Sequence, residues 1–294
     1  MPQQAIPALR SQDLVFTLYG DYLLGRAHPV WTGSLITLLG ELGLSPMAVR
    51  TVLSRMVRKG WLTVERHGTR SYHGLTKKGH TLLQEGRERI YHPRRDETWD
   101  SSWTLISYTI PEQRRPTRDQ LRVRLQWLGC GALSSGLWIT PHDVRREVEE
   151  IAAALRITRH VEVFRAAHVG FSSLEQLVAQ CWDLAAINRR YAAFIARWHP
   201  DFTRCRSCGL TGVQGPVHGA CAAPAECFLR RFLLVHEYRV FPLGDPYLPR
   251  PLLPADWRGD EAARLFETYH AVLGDPAERY VEDVCRLGHR AEAA

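Results

Sequence analysis

Apolar residues recur along the chain in distinct rhythms, and each rhythm predicts a different piece of architecture. Val49, Val52, Leu53, Met56 and Val57 stand at i, i+3, i+4, i+7 and i+8, the single stripe of an amphipathic helix. Ser45-Pro46 supplies an N-cap and a proline at the first helical position, and Gly60 ends the helix. With the stripe turned inward, Arg50, Thr51, Ser54, Arg55 and Arg58 must face elsewhere. Upstream, residues 13–24 and 32–39 read as two more helices, with Gly40 and Gly43 marking a tight turn. Downstream, residues 61–66 and 70–75 flank His67-Gly68-Thr69 and read as a two-stranded hairpin turned by the glycine. Helix, short turn, basic helix, hairpin is the order of a winged helix-turn-helix. In that arrangement a helix enters the major groove of DNA and the hairpin reaches along the backbone or minor groove.

A polar break at residues 91–98 reads as a linker. Beyond it the pattern predicts a strand at 103–110, a helix to residue 128 opened by a Thr117-x-x-Gln120 capping box, and two short strands around Gly136. A helix from Thr140-Pro141 to about residue 155 and a strand at 160–164 follow. The order β-α-β-β-α-β is that of the ferredoxin-like split motif. Ser172-x-x-Glu175 is another capping box, and Leu174, Leu177, Val178, Cys181, Leu184, Tyr191, Phe194, Ile195 and Trp198 keep helical spacing as far as His199-Pro200. Their aromatics read as core. After an irregular stretch, Pro224 opens a helix to about residue 240, and 259–273 and 276–287 predict two more beyond a proline-rich crossing at 241–257. The fold class is therefore α+β: a winged helix-turn-helix domain at 1–90, a ferredoxin-like middle domain at 99–171, and a helical C-terminal domain at 172–294 with a Cys-rich insertion at 203–225.

Composition narrows the functional classes. The chain has 294 residues, room for two or three domains, and its 45% hydrophobic and 23% charged content excludes wholesale disorder, collagen and coiled coil. An apolar run of about 18 residues is absent and the first ten residues carry no apolar signal region, so a soluble, cytoplasmic chain without a membrane partner is expected. The net charge of +7 is segregated: residues 1–95 hold 14 Lys+Arg against 6 Asp+Glu, and the remainder 24 against 25. One domain built to meet a polyanion accounts for that. A basic helix face is often merely solvated, but the segregation, the cap and the wing together favour DNA. Arg50, Thr51, Ser54, Arg55 and Arg58 are then expected to read or clamp the major groove, and Arg66, His67 and Arg70 to hold phosphates from the wing.

Two other constellations invite chemistry. Cys205-x2-Cys208, His218-x2-Cys221 and Cys227 have the donor types and spacing of a structural tetrahedral zinc site. Reduced cysteines in a mobile loop are the competing reading, with Cys227 on the apolar face of its own helix. Gly129-Cys-Gly131 superficially suggests a dinucleotide loop, but Ser134 replaces the third glycine. The G-x-S-x-G, H-E-x-x-H and P-loop patterns are all missing from the sequence.

Tyr19-Gly-Asp-Tyr22, Trp31-Thr-Gly-Ser-Leu-Ile36, Leu44-Ser-Pro-Met-Ala-Val-Arg-Thr-Val-Leu-Ser-Arg-Met-Val-Arg-Lys-Gly-Trp61 and Arg70-Ser-Tyr72 resemble the amino-terminal domain of the PaaX family, repressors of phenylacetic acid degradation operons. His236-Glu-Tyr-Arg239, Phe241-Pro242, Asp245-Pro246, Leu248-Pro249 and Leu252-Leu-Pro-Ala-Asp-Trp257 resemble that family's carboxy-terminal signature. The resemblance implies a homodimeric, non-enzymatic repressor that binds palindromic double-stranded operator DNA. It also implies release by phenylacetyl-coenzyme A or a related acyl-CoA. It likens the middle domain to the CRISPR-associated ribonucleases, which need an aspartate near the end of the first strand. Ile110-Pro111-Glu112 stands there instead, so the domain is expected to pack and dimerise rather than cut. An acyl-CoA effector requires cationic donors beside an aromatic pocket, and His236, Tyr238, Arg239 and Trp257 supply both within the signature. Alternatively, Arg239 pairs with Asp245 or Asp256 and pins the proline-rich crossing. Readings from other classes are a nuclease or thioester-acting enzyme built on the middle domain, and an interaction adaptor that does not bind DNA.

Overall fold

The computed structural model describes residues 10–92, 98–207, 223–242 and 244–290. Its elements are α1 (Ser11–Leu18), β1 (Val30–Trp31), α2 (Thr32–Gly40), α3 (Pro46–Arg58), β2 (Leu62–His67), β3 (Arg70–Leu75), α4 (Lys77–Tyr91), β4 (Ser102–Tyr108), α5 (Arg115–Trp127), β5 (Gly131–Ser134), β6 (Leu137–Thr140), α6 (Arg145–Ala154), β7 (Val161–Ala167), α7 (Leu174–Cys181), α8 (Leu184–Ser207), α9 (Pro224–Tyr238) and α10 (Gly259–Arg290). A single π-helical turn, Tyr19–Leu23, continues α1, so the helix expected at 13–24 changes its winding halfway. No described helix is long and apolar enough to cross a membrane.

Contacts divide the chain into two compact units that do not follow the three consecutive domains expected from the sequence. The first comprises Met1–His92, Phe194–Arg239 and Glu261–Ala294; the second, Pro93–Ala193 and Val240–Asp260. Residues 93–97, most of the expected linker, lie outside the described residues.

In the first unit, Leu14, Val15 and Leu18 of α1, Leu35, Leu38 and Leu39 of α2, and Val49, Val52, Leu53 and Met56 of α3 are buried as one core. Ser45 caps α3 by accepting from Ala48 N at 3.3 Å. The three-stranded antiparallel sheet has the order β1-β3-β2. Its hairpin is one residue tighter than expected: His67 pairs with Arg70, leaving Gly68-Thr69 as the loop with Gly68 at φ 57°. Helix α4 was not foreseen, having little apolar periodicity and two internal glycines. It is capped by Thr76, and at Gly79 it approaches so closely that a Cβ would stand 2.3 Å from the Trp61 carbonyl oxygen.

The two last helices expected from the sequence are one, because Phe266, Tyr269, Leu273, Ala277, Val281 and Cys285 form a buried stripe that runs through Pro276 without interruption. Burying that stripe outweighs the lost hydrogen bond and the steric cost of proline, roughly 3 kcal/mol. Likewise α8 runs through Pro200 to Ser207, so the start of the Cys-rich stretch is helical rather than irregular.

Asp21 ties these segments together. Its Oδ1 accepts from Tyr91 Oη at 2.7 Å and lies 3.1 Å from His270 Nε2, while Oδ2 accepts from Arg231 Nε at 3.1 Å. Arg231 Nη1 also donates to Glu278 at 2.8 Å. Burial pushes the Asp21 carboxyl up, but the His270 hydrogen bond and the Arg231 charge outweigh it and hold the group below the usual carboxylate range. Nearby, Thr17 Oγ1 donates to the Asp13 carbonyl and lies 2.8 Å from His236 Nδ1, so the imidazole is the donor in that contact. Burial first, and the Arg239 charge second, push His236 down to about 4.

In the second unit, the antiparallel sheet has the order β5-β6-β4-β7 within a β-α-β-β-α-β element sequence. Leu121 and Leu125 of α5 and Val148 and Ala152 of α6 pack with Ile106, Tyr108 and Trp138. Several boundaries differ from expectation. Helix α5 starts at Arg115, before the Thr117-x-x-Gln120 box, with Pro116 in its first turn. Helix α6 starts at Arg145, because Thr140 still belongs to β6 and binds the His142 amide with its hydroxyl. The capping box of α7 is Ser173-x-x-Gln176, one residue later than expected. Gly129 and Gly131 serve packing rather than a nucleotide: a Cβ on Gly131 would meet Cys181 Cβ at 2.6 Å, and Gly129 has φ 80° against Pro246.

Replacing Asp21 by Asn is expected to destabilise the protein by about 3 kcal/mol in urea unfolding, since Arg231 loses its buried counter-charge. Acid should act in two stages. His236 has a folded pKa below its unfolded value, so its contribution is complete above about pH 6.5 and is lost as pH falls toward 4. Asp21 follows below about pH 4, where its unfolded carboxyl would protonate. The urea midpoint measured from pH 8 to 3 should therefore begin to fall near 6.5, and His236→Gln should reduce that first part of the decline, leaving the share of His73, which burial also pushes down.

Candidate nucleic-acid interface

The stripe of α3 that buries Val49, Val52, Leu53 and Met56 leaves the opposite face open, and Arg50, Thr51, Ser54, Arg55 and Arg58 are all exposed there. The Thr51 hydroxyl donates to its own helix at Met47 O, 2.9 Å away, which leaves its oxygen lone pairs to accept. At the start of the same helix Met47 is 74% exposed. The sequence offered a signal for it: Met47 is a large apolar residue off the buried stripe, within a turn of Arg50. A side chain of that kind on a groove-reading helix can meet thymine methyl groups.

Beyond Leu62 every residue of β2 is exposed, so the hairpin stands out from the unit. Arg66 and His67 are at its tip, with His67 Nε2 3.8 Å from Glu65 Oε2 and its ring edge-on to Tyr72. Arg70 is less free than the sequence suggested: it is half-buried, with its guanidinium 5.1 Å from the Trp31 ring centroid. Strand β1 places Trp31 there by pairing Trp31 with Tyr72 and Val30 with His73. Lys59 Nζ is held by Gln12 Oε1 at 2.9 Å. The structure thus brings all eight expected DNA residues onto α3 and the hairpin of one unit.

The four expected effector residues fare differently. His236 and Arg239 lie at the end of α9, where the Arg239 Nε is buried without a hydrogen-bond partner among the described residues. Burial pushes the Arg239 pKa down, with Asp13 opposing the shift. Tyr238 is only 1% exposed, and Phe266 stacks on its ring at 3.9 Å, so this side chain is core. Trp257 belongs to the second unit and packs edge-on against Tyr191. The two aspartates of the alternative pin have partners within the second unit. Asp245 accepts from Tyr191 Oη at 2.6 Å and from Tyr247 N at 2.7 Å, while Asp256 holds Asn188.

Of the five expected zinc ligands, Cys208, His218 and Cys221 lie outside the described residues. Cys205 is buried on α8, where its Sγ accepts from Arg230 Nη1 at 3.1 Å and lies 3.5 Å from Tyr269 Oη. Cys227 is buried on the apolar face of α9. Among the described residues no group of three or more His, Cys, Asp or Glu is placed to hold a metal ion. At the end of the first strand of the second unit, Glu112 sits in a short 3-10 turn, exposed and paired with Arg118 at 2.9 Å.

Comparison with known proteins adds three matched stretches in chain order: residues 10–79 to the model described as PaaX-like protein, 96–178 to the PaaX protein central Cas2-like domain, and 182–283 to the PaaX-like protein C-terminal domain. The Transcriptional repressor PaaX of Escherichia coli (strain K12) is 32% identical over 284 residues, covering 95% of this chain and 85% of that protein. The solved structure of an uncharacterized protein from Mycobacterium tuberculosis shares the fold with a TM-score of 0.55 at 19% identity, over 92% of this chain and 97% of that one. With three successive domains matched and a relative of this identity aligned along nearly its whole length, the chain belongs to the PaaX family.

Proposed function

We propose that this protein is a ligand-responsive transcriptional repressor of an aromatic, phenylacetate-type catabolic operon. It binds palindromic operator DNA as a homodimer and is released by phenylacetyl-CoA or a related acyl-CoA. The observation that carries the reading is the division of α3: one face is wholly buried in the core and the other presents three arginines and two hydroxyls beside an exposed hairpin. We read this as a winged helix-turn-helix, with Arg50, Thr51, Ser54, Arg55 and Arg58 toward base edges or groove walls and Arg66, His67 and Arg70 toward phosphates. The second unit, with its β-α-β-β-α-β order, is read as a ferredoxin-like domain that packs and dimerises. The chain is a regulator and not an enzyme, in keeping with its repressor relative. Arg239 and His236 remain candidates for sensing the effector from the end of α9, and any zinc held with Cys208, His218 and Cys221 would be structural.

The test of this reading is a DNA-binding assay on the chain's own upstream region, with and without phenylacetyl-CoA. Retarded DNA that the thioester releases is the expected result, and absence of specific binding would sink the repressor reading. Arg50→Ala or Arg55→Ala should cost about 1 to 3 kcal/mol of operator affinity and relax specificity at one position if the residue contacts a base. Equal losses on random DNA would make it a phosphate clamp. Arg66→Ala should flatten the plot of log affinity against log salt by about one unit. Footprints should cover half-sites an integral number of ~10 bp turns apart, and sedimentation should give a dimer.

A further inference from the structure

In the first unit a cleft of about 610 Å³ opens between the turn that follows α1 and residues 278–286 of α10, at the edge of its buried stripe. Three arginines line it: Arg26 from the turn, Arg87 from α4 and Arg286 from α10. Its apolar wall is made by Leu24, Val281 and Cys285. Arg26 and Cys285 also line a second hollow of about 150 Å³, which ends on Trp31. We infer that this cleft is the effector site, taking an anionic, phosphate-bearing ligand with an apolar end. This rests on the ligand-responsive reading above and adds to it the site and the route to the DNA-binding surface.

Three arginines and three carboxylates line the cleft, and what it offers an anion is the two arginines that are left without an ion pair. Asp21 and Glu278 line the cleft, but both are already engaged by Arg231, and Arg286 is paired with Asp283. Arg26 and Arg87 make no ion pair among the described residues, and both are exposed. Of the lining carboxylates this leaves Glu282 to oppose the two unpaired guanidiniums, those of Arg26 and Arg87. Arginines contributed by three elements suit phosphate oxygens, and the open cleft has room for part of a cofactor-sized ligand, whose pockets span about 300 to 1,000 Å³. The narrow hollow toward Trp31 suits an acyl or aryl group.

The position also gives the ligand a purchase on the wing. The turn that carries Arg26 leads within four residues into β1, and β1 pairs with β3 of the hairpin. The Trp31 ring that ends the hollow is the one on which Arg70 rests. A ligand that binds better when Arg26 and Trp31 shift thereby selects a hairpin position different from the one that grips DNA.

The experiment is calorimetry on the full-length chain with phenylacetyl-CoA, coenzyme A and phenylacetate, for the natural protein, for Arg26→Ala with Arg87→Ala, and for Arg239→Ala. Urea midpoints check that each variant is folded. The expected result is thioester binding that the double variant weakens at least about tenfold, as the loss of charge-assisted contacts to phosphate requires. Operator affinity without ligand should stay unchanged in Arg87→Ala alone, because Arg87 lies neither on the DNA-reading face nor in the turn that leads into the hairpin. Arg286→Ala provides an independent second variant with the same expected direction. Undiminished binding by these variants would overturn the site, as would no thioester binding by the natural protein. Loss of binding confined to Arg239→Ala would move the site to the end of α9. A thioester no tighter than coenzyme A would overturn the apolar half of the assignment. If the natural protein binds the thioester here but no operator, the site stands and the repressor reading fails.

Discussion

The first unit depends on a single buried carboxylate. Asp21 lies almost without solvent contact, and a lone charge there would be prohibitively unstable, so the arrangement persists only because Arg231, His270 and Tyr91 all converge on it. Those partners come from α9, α10 and α4, elements far apart in sequence. Any packing of these helices that separated Asp21 from Arg231 would strand a charge in the core. Apolar residues alone would allow the greasy faces of α9 and α10 to slide; the aspartate fixes them to the turn behind α1.

That constraint supports the surface that matters. Helix α3 can offer a face of arginines and hydroxyls only because its other face is fully occupied by α1 and α2, and those are in turn seated on α9 and α10. Ser34 of α2 donates to the Val284 carbonyl at 2.9 Å, and Tyr280 donates to Glu41 at 2.7 Å. The wing has its own support. Trp31 lies under Arg70, and the Tyr19 hydroxyl donates to the His73 carbonyl at 3.0 Å, so the hairpin's inner strand is fastened at several points while β2 remains open.

Local signals were legible where the chemistry was local. The stripe of α3, its Ser-Pro cap, the glycine at the hairpin tip and the order of elements along the second unit all follow from spacing and turn residues, and the exposed face of α3 follows from the stripe. Signals that depend on distant partners were not legible. Helix α4 is a poor helix by pattern, held by the close approach at Gly79 and by Tyr91 on Asp21. Helices α8 and α10 pass through prolines because a continuous buried stripe outweighs a broken hydrogen bond. The signature around Arg239 and Trp257 suggested one ligand wall, but Tyr238 and Trp257 are occupied in packing and Asp245 in fastening Tyr191. The cleft at Arg26, Arg87 and Arg286 had no sequence signal, since its three arginines are separated by up to two hundred and sixty positions.

The hydrogen bond from Ser34 to Val284 spans two hundred and fifty positions. Synthesis proceeds from the amino terminus, so the segment bearing α3 and the hairpin leaves the ribosome long before α9 and α10 exist. Until α10 emerges, Asp21 has neither His270 nor the helix that carries it, and the seats beneath α1 and α2 are vacant. A chain without α10 lacks the carbonyl that holds Ser34 and the imidazole that holds Asp21, two fastenings of the frame behind α3. The orientation of the arginine-bearing face of α3 is in this way deferred to the last described helix, although every residue of that face is made in the first sixty positions.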